Sequence, residues 1–161
     1  MVKIDILCVG KLKESYLREG VSEYEKRLRR YCNLQVFEVA DEKTPEDPSE
    51  RERDLILEKE GDRLMGKIDE RAYVIALAIE GKMLDSVELS EKLQSVMSDG
   101  YGHIQFVIGG SLGLHKSLLQ RANLKLSFSK LTFPHQLMRM ILAEQLYRSF
   151  RISAGEPYHK R

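Results

Sequence analysis

The sequence predicts an α/β fold with a mostly parallel sheet and helices on both of its faces. Three observations predict it. Short apolar runs alternate with amphipathic helix patterns from one end of the 161 residues to the other. Several of the runs have little polar interruption, as strands buried on both faces do. No internal repeat, low-complexity segment or interdomain linker breaks the alternation, so one domain over 1–161 is expected.

The elements follow in order. Lys3 to Val9 is an apolar strand that ends at Gly10, and Lys11 to Glu14 make a turn. Leu17, Val21, Tyr24, Leu28 and Tyr31 then repeat at three- and four-residue intervals as one helix stripe. A second strand covers 34–39. Pro45 and Pro48, set among acids, mark a loop. Ser49-Glu50-Arg51-Glu52 matches a capping box and opens a helix over 50–68, with Leu57, Leu64, Met65 and Ile68 inward. A third strand over 71–79 releases into Glu80-Gly81-Lys82-Met83. Asp85 and Glu88 cap the next helix, whose inner face is Leu89, Leu93, Val96 and Met97. After Gly100-Tyr101-Gly102 come a strand at 104–108, a short helix at 115–121 and a strand at 124–128. The last helix, 136–152, is apolar over more than one face and therefore needs burial on two sides; the second side is assigned to another subunit.

Composition excludes several function classes. Lys plus Arg number 26 and Asp plus Glu 25, so there is no uniformly basic coat and RNA binding would need a local patch. No run approaches the ~18 apolar residues of a membrane span. Asp5 interrupts the first apolar run and argues against a signal peptide. Cys8 and Cys32 form no CxxC pair or zinc spacing, and read as buried free thiols of a reducing cytoplasm. His103, His115 and His135 show no metal spacing, and no metal is expected.

Two strand ends carry the candidate chemistry, since ligands in open α/β sheets sit beyond the carboxyl ends of the strands. Phe106-Val107-Ile108 ends in Gly109-Gly110-Ser111-Leu112-Gly113. Gly110 to Ser117 approaches the phosphate loop G-x-x-x-x-G-K-[ST], but His115 replaces the glycine that lets backbone amides wrap a phosphate. A nucleotide-hydrolysing enzyme is therefore the weaker reading; the stretch is either a tight turn alone or a Gly-rich turn that lets a ligand approach the backbone closely. The second strand end is the loop Ser129-Lys130-Leu131-Thr132-Phe133-Pro134-His135. Its backbone groups and apolar side chains suit a neutral heterocycle such as adenine, with Lys130 the sole cation. Glu144 and Arg148 can pair at i, i+4. The tail Pro157-Tyr158-His159-Lys160-Arg161 combines groups that stack on a base, move a proton and hold phosphate, although termini usually fray.

Together these segments resemble the RlmH family of SPOUT-class methyltransferases along the whole chain. The resemblance rests on Phe106-Val107-Ile108-Gly109-Gly110-Ser111, on 126–136, on Glu144-Gln145-Leu146-Tyr147-Arg148, on Pro157-Tyr158-His159 and on Val9-Gly10-Lys11-Leu12-Lys13. It implies a C-terminal trefoil knot over about 104–152, a tail at 153–161 and a cytoplasmic homodimer. It implies S-adenosylmethionine as donor and N3 of a pseudouridine in the 23S ribosomal RNA of the assembled ribosome as acceptor. Donor contacts map onto Leu77, Gly109, Phe128, Ser129, Lys130, Leu131, Thr132 and Phe133, with backbone contacts expected at Lys130 and Leu131. For the imide proton, His159 is the first candidate base and Glu144 the second. Tyr158 is assigned to stacking on the base, and Arg148, Lys160 and Arg161 to phosphate contacts. A ribosome-associated module without a donor is the non-enzymatic alternative.

Overall fold

The computed structural model describes residues 1–160. Five strands form one all-parallel sheet in the order β2-β1-β4-β3-β5. They are β1 (Lys3–Val9), β2 (Asn33–Val39), β3 (Tyr73–Met83), β4 (His103–Ile108) and β5 (Leu124–Ser127). The helices are α1 (Ser15–Leu28), α2 (Glu50–Met65), α3 (Ser86–Ser98), α4 (Lys116–Arg121) and α5 (His135–Ser153).

Strand alternation sorts the apolar residues into two cores. Ile4, Ile6 and Cys8 of β1, with Ile104, Phe106 and Ile108 of β4, face α1, α3 and α5. Leu7 and Val9, with Val74 and Val107, face α2 and α4. Each buried Leu, Ile or Phe contributes about 1.5–3 kcal/mol, so the two central strands carry much of the stability. Asp5 is tolerated inside β1 because its Oδ2 lies 2.6 Å from His103 Nε2 and accepts from Gln105 Nε2 at 2.9 Å. Both expected capping boxes form, at Ser49/Glu52 and at Asp85/Glu88.

Three elements differ from the sequence reading. The inner stripe of α2 is Ile56, Glu60, Gly61 and Leu64 rather than one through Leu57, and the helix stops at Met65. The sequence pattern hides this because Glu60, a carboxylate, is buried. Strand β3 does not end at Ile79. Leu77 and Lys82 both align with Leu126, so 78–81 bulge out before the strand resumes beside β5. Gly81 permits the return: a Cβ there would meet the backbone of Lys125 at 2.7 Å. Finally, α5 finds cover within its own chain. Leu142, Leu146 and Phe150 enter the core between α1 and α3. On its other side Tyr147 meets Tyr24, Tyr31 and Tyr158, with ring centroids 6.2, 6.2 and 4.8 Å away. The large bare face that implied a second subunit is thus largely covered, leaving Leu137, Met140 and Ile141 only half-buried.

Candidate active site

The carboxyl ends of β3, β4 and β5 open into a cleft of about 800 Å³, within the range of ~300–1,000 Å³ usual for small-molecule sites. Three segments wall it. The first is Leu77 with the bulge Ala78, Ile79 and Glu80; the second is the turn 109–114; the third is the stretch from Phe128 to His135. Of the expected donor contacts, Leu77, Gly109, Phe128, Ser129, Leu131, Thr132 and Phe133 come together here, and Lys130 is not among the lining residues. The lining carries no lysine or arginine side chain. It is shaped by backbone and apolar groups, as an adenine-sized heterocycle needs and a triphosphate does not.

Local hydrogen bonds fix the walls. Ser127 Oγ donates to the Ser129 carbonyl at 3.0 Å, and the Leu131 amide donates to Ser129 Oγ at 3.0 Å. The glycine turn closes on itself: the Gly113 amide donates to the Gly110 carbonyl at 3.1 Å, and Gly113 has φ +91°. A Cβ on Gly109 would lie 2.2 Å from the Gly113 carbonyl oxygen. The close backbone approach expected of a ligand at Gly109 is thus already made by the turn itself. At the end of the phosphate-loop look-alike, His115 Nδ1 accepts the Ser117 amide at 3.2 Å and so caps the six-residue α4. The amide that a phosphate would use is taken.

His135, the last residue of the expected loop, also lines the cleft, whereas sequence reasoning missed the bulge 78–80 and Met138 of α5, which line it too. A glycine alone in the polar stretch Glu80 to Lys82 was the available sign of a bulge. Burial, then the charge of Arg139, push the His135 pKa below the ordinary imidazole value. That favours a neutral ring beside the cleft.

The described part of the tail is tied to the body by hydrogen bonds. Glu156 accepts from Tyr31 Oη at 2.7 Å and from Arg151 Nη1 at 2.8 Å, and Arg151 Nη2 donates to the Pro157 carbonyl at 2.7 Å. Beyond them, Glu144, Arg148, Tyr158 and His159 form one cluster. Arg148 Nη2 donates to Glu144 Oε2 at 2.8 Å, Tyr158 Oη donates to the same oxygen at 2.8 Å, and the guanidinium lies 4.7 Å from the Tyr158 ring centroid. Burial, then the bond to Glu144, push the Tyr158 pKa up, so the phenol stays a donor. Arg148 Nη1 lies 3.1 Å from His159 Nδ1. A guanidinium cannot accept, so Nδ1 supplies the lone pair and a neutral His159 ring carries its hydrogen on Nε2. The Glu144 oxygens are likewise engaged, by Arg148, Tyr158 and Gln145. Both candidate bases are thus already hydrogen-bonded within the cluster. The cluster does not line its own chain's cleft. Glu144 and Arg148 lie roughly 9 and 15 Å along the α5 axis from Met138, at 1.5 Å per residue. Lys160 is exposed, and Arg161 lies outside the described residues.

An all-parallel sheet with a cleft at the carboxyl ends of its strands defines an α/β ligand-binding protein. The family model described as "Predicted SPOUT methyltransferase" matches residues 2–159, and the chain belongs to that family. Within it, the chain is 57% identical to the "Ribosomal RNA large subunit methyltransferase H" of Leuconostoc mesenteroides, over 99% of this chain and 100% of that protein. Proteins of the same name from Bacillus pumilus and Clostridium novyi are each 55% identical over the same shares. Among solved structures, "a probable methylase family protein" from Haemophilus influenzae Rd KW20 matches with a TM-score of 0.55 at 14% identity. It covers 100% of this chain and 72% of that one, a likeness of fold alone. No described helix is long and apolar enough to cross a membrane.

Proposed function

We propose that the protein is a cytoplasmic methyltransferase that takes its methyl group from S-adenosylmethionine and places it on N3 of a pseudouridine in 23S ribosomal RNA of the assembled ribosome. The observation that carries the reading is the cleft at the ends of β3, β4 and β5, made of backbone and apolar groups and free of lysine and arginine. The printed name of the full-length relatives supports RNA of the large ribosomal subunit as acceptor. Leu77, the turn at Gly109 and the loop from Phe128 to Phe133 hold the adenosyl part, with Lys130 and Leu131 contributing backbone. When bound, the donor supplies an electrophilic methyl on a sulfonium.

The protein's share of the chemistry is alignment, which can supply ~7–11 kcal/mol, and removal of the imide proton, worth ~10²–10⁴ in rate. Because the cluster of Glu144, Arg148, Tyr158 and His159 stands apart from its own cleft, the site is completed across a homodimer, by the partner's tail. The half-buried strip Leu137, Met140 and Ile141 supplies part of the contact. His159 takes the imide proton after Nδ1 leaves Arg148, which frees Arg148 Nη1 for RNA phosphate while Nη2 stays on Glu144. Tyr158 stacks on the splayed base, and Lys160 and Arg161 hold the backbone. The return of α5 from edge strand β5 to the middle of the sheet supports a chain threaded as a C-terminal trefoil knot.

Calorimetry with S-adenosylmethionine tests the donor. Transfer of labelled methyl to ribosomes, with the modified nucleoside read by mass spectrometry, tests the acceptor. A folded protein that ignores the donor, or that labels a nucleoside other than pseudouridine, would overturn the corresponding half.

A further inference from the structure

A second, narrower cleft of about 310 Å³ lies at the carboxyl ends of β1 and β2. It shares Gly110, Ser111 and His135 with the larger cleft. Glu60 of α2 lines it, although that residue is only 5% exposed. One Glu60 oxygen, Oε2, accepts the Glu42 amide at 2.9 Å; the other, Oε1, has no partner. A carboxylate so deeply buried is costly unless it is paired. Burial, followed by the neighbouring charges of Asp41 and Glu42, raises its pKa. Arg63, whose charge partly offsets that rise, makes no hydrogen bond to Oε1; its guanidinium donates to Glu42 Oε2 at 2.7 Å and to the Ala40 carbonyl at 2.9 Å. Gly110 adjoins the unpartnered oxygen, and a Cβ on Gly110 would lie 2.9 Å from Oε1. A side chain there would close the approach.

The rest of the cleft is chemically two-sided. Asp41 and Glu42 add carboxylates, while Lys43 brings an ammonium, and the hydroxyls of Thr44 and Ser111 lie 3.2 Å apart. Among the described residues no group of three or more His, Cys, Asp or Glu side chains is placed to hold a metal ion. The cation this arrangement fits is a hydrogen-bonding ammonium, and its lysine and hydroxyls complement a carboxylate. A zwitterionic α-amino acid carries both.

We propose that this cleft receives the α-amino acid end of the methyl donor, with Glu60 Oε1 accepting from its ammonium. The inference rests on the donor assignment above. S-Adenosylmethionine carries adenosine at one end and an ammonium and carboxylate at the other. Two clefts that share the wall Gly110, Ser111 and His135 can take one end each. Glu60 is then a residue that selects donors bearing an ammonium at that end.

Calorimetry with three ligands tests this: S-adenosylmethionine, its decarboxylated analogue, which keeps the ammonium, and 5′-methylthioadenosine, which has neither group. Glu60→Gln keeps an acceptor for the Glu42 amide but removes the charge. It should weaken the first two ligands roughly tenfold, the loss of one charge-assisted hydrogen bond, and leave methylthioadenosine within about twofold. Equal losses for all three ligands, or none, would overturn the proposal. The unaltered protein gives a test that no folding defect can obscure: methylthioadenosine bound as tightly as the donor also overturns it. An unaltered protein that binds none of the three instead defeats the donor assignment itself.

Discussion

Tyr158→Phe is the sharpest probe of the tail cluster. It deletes one hydroxyl and keeps the ring, so the edge contact to Tyr147 at 4.8 Å and the Arg148 guanidinium at 4.7 Å survive. What is lost is the 2.8 Å bond to Glu144 Oε2. A hydrogen bond to a charged group is worth about 1.5–3 kcal/mol. Tyr158 and Glu144 are only half-buried, so the low end applies, roughly a tenfold shift between docked and undocked tail. The shift stays local, because Glu156 and Pro157 remain tied to Tyr31 and Arg151 at 2.7–2.8 Å. Carboxypeptidase trimming reads the undocked fraction when docking is fast relative to cleavage. Residues 158–161 should be removed about ten times faster in Tyr158→Phe, with the melting temperature of the body unchanged. Equal trimming rates in the two proteins would show that the Glu144 bond does not hold the tail.

Further outcomes follow from other parts of the fold. Gly109→Ala should lower the melting temperature along with donor affinity, because its Cβ meets the Gly113 carbonyl at 2.2 Å; a variant that melts like the parent would sink this account of the turn. Ser49→Ala should cost about 1 kcal/mol in denaturant unfolding through loss of the α2 cap, with donor affinity unmoved in calorimetry. Burial pushes the thiols of Cys8 and Cys32 up to about 11 and about 12. The folded thiols therefore keep protons that unfolded thiols, near 9.0, give up. Stability should fall as pH rises from about 9 to about 11, and neither thiol should react with alkylating reagents in the native protein at pH 8. Flat stability over that range, or rapid alkylation, would contradict the burial argument.

The central strands were legible because parallel strands buried on both faces leave an almost pure apolar signature, as in Ile4 to Val9 and Ile104 to Ile108. The helix starts at Ser49 and Asp85 were legible because capping is local chemistry. What stayed hidden depends on partners distant in the chain. The second half of β3 reads as a turn, since Glu80 and Lys82 are polar and only β5 shows that the strand resumes. The second cleft joins Asp41, Glu60 and Gly110, residues that sequence separates and that sheet order brings together. Gly109 was noticed for a sound reason, the need for close backbone approach, but the partner in that approach is Gly113. The large cleft was legible because its walls follow strand ends marked by glycine and proline.

The pairing of β1 with β4 joins Lys3 to His103, and it bears on how the chain is made. During synthesis the first two strands and helices emerge together, yet β1 keeps one edge bare until β4 leaves the ribosome. That edge is apolar and unpaired for about the time needed to add the intervening residues, several seconds at ~5–20 residues per second. A strand in that condition is a template for pairing with another chain. The nascent protein thus passes through a stage that invites aggregation or a chaperone, and slowing elongation between β2 and β4 should lower soluble yield without changing the melting temperature of what survives.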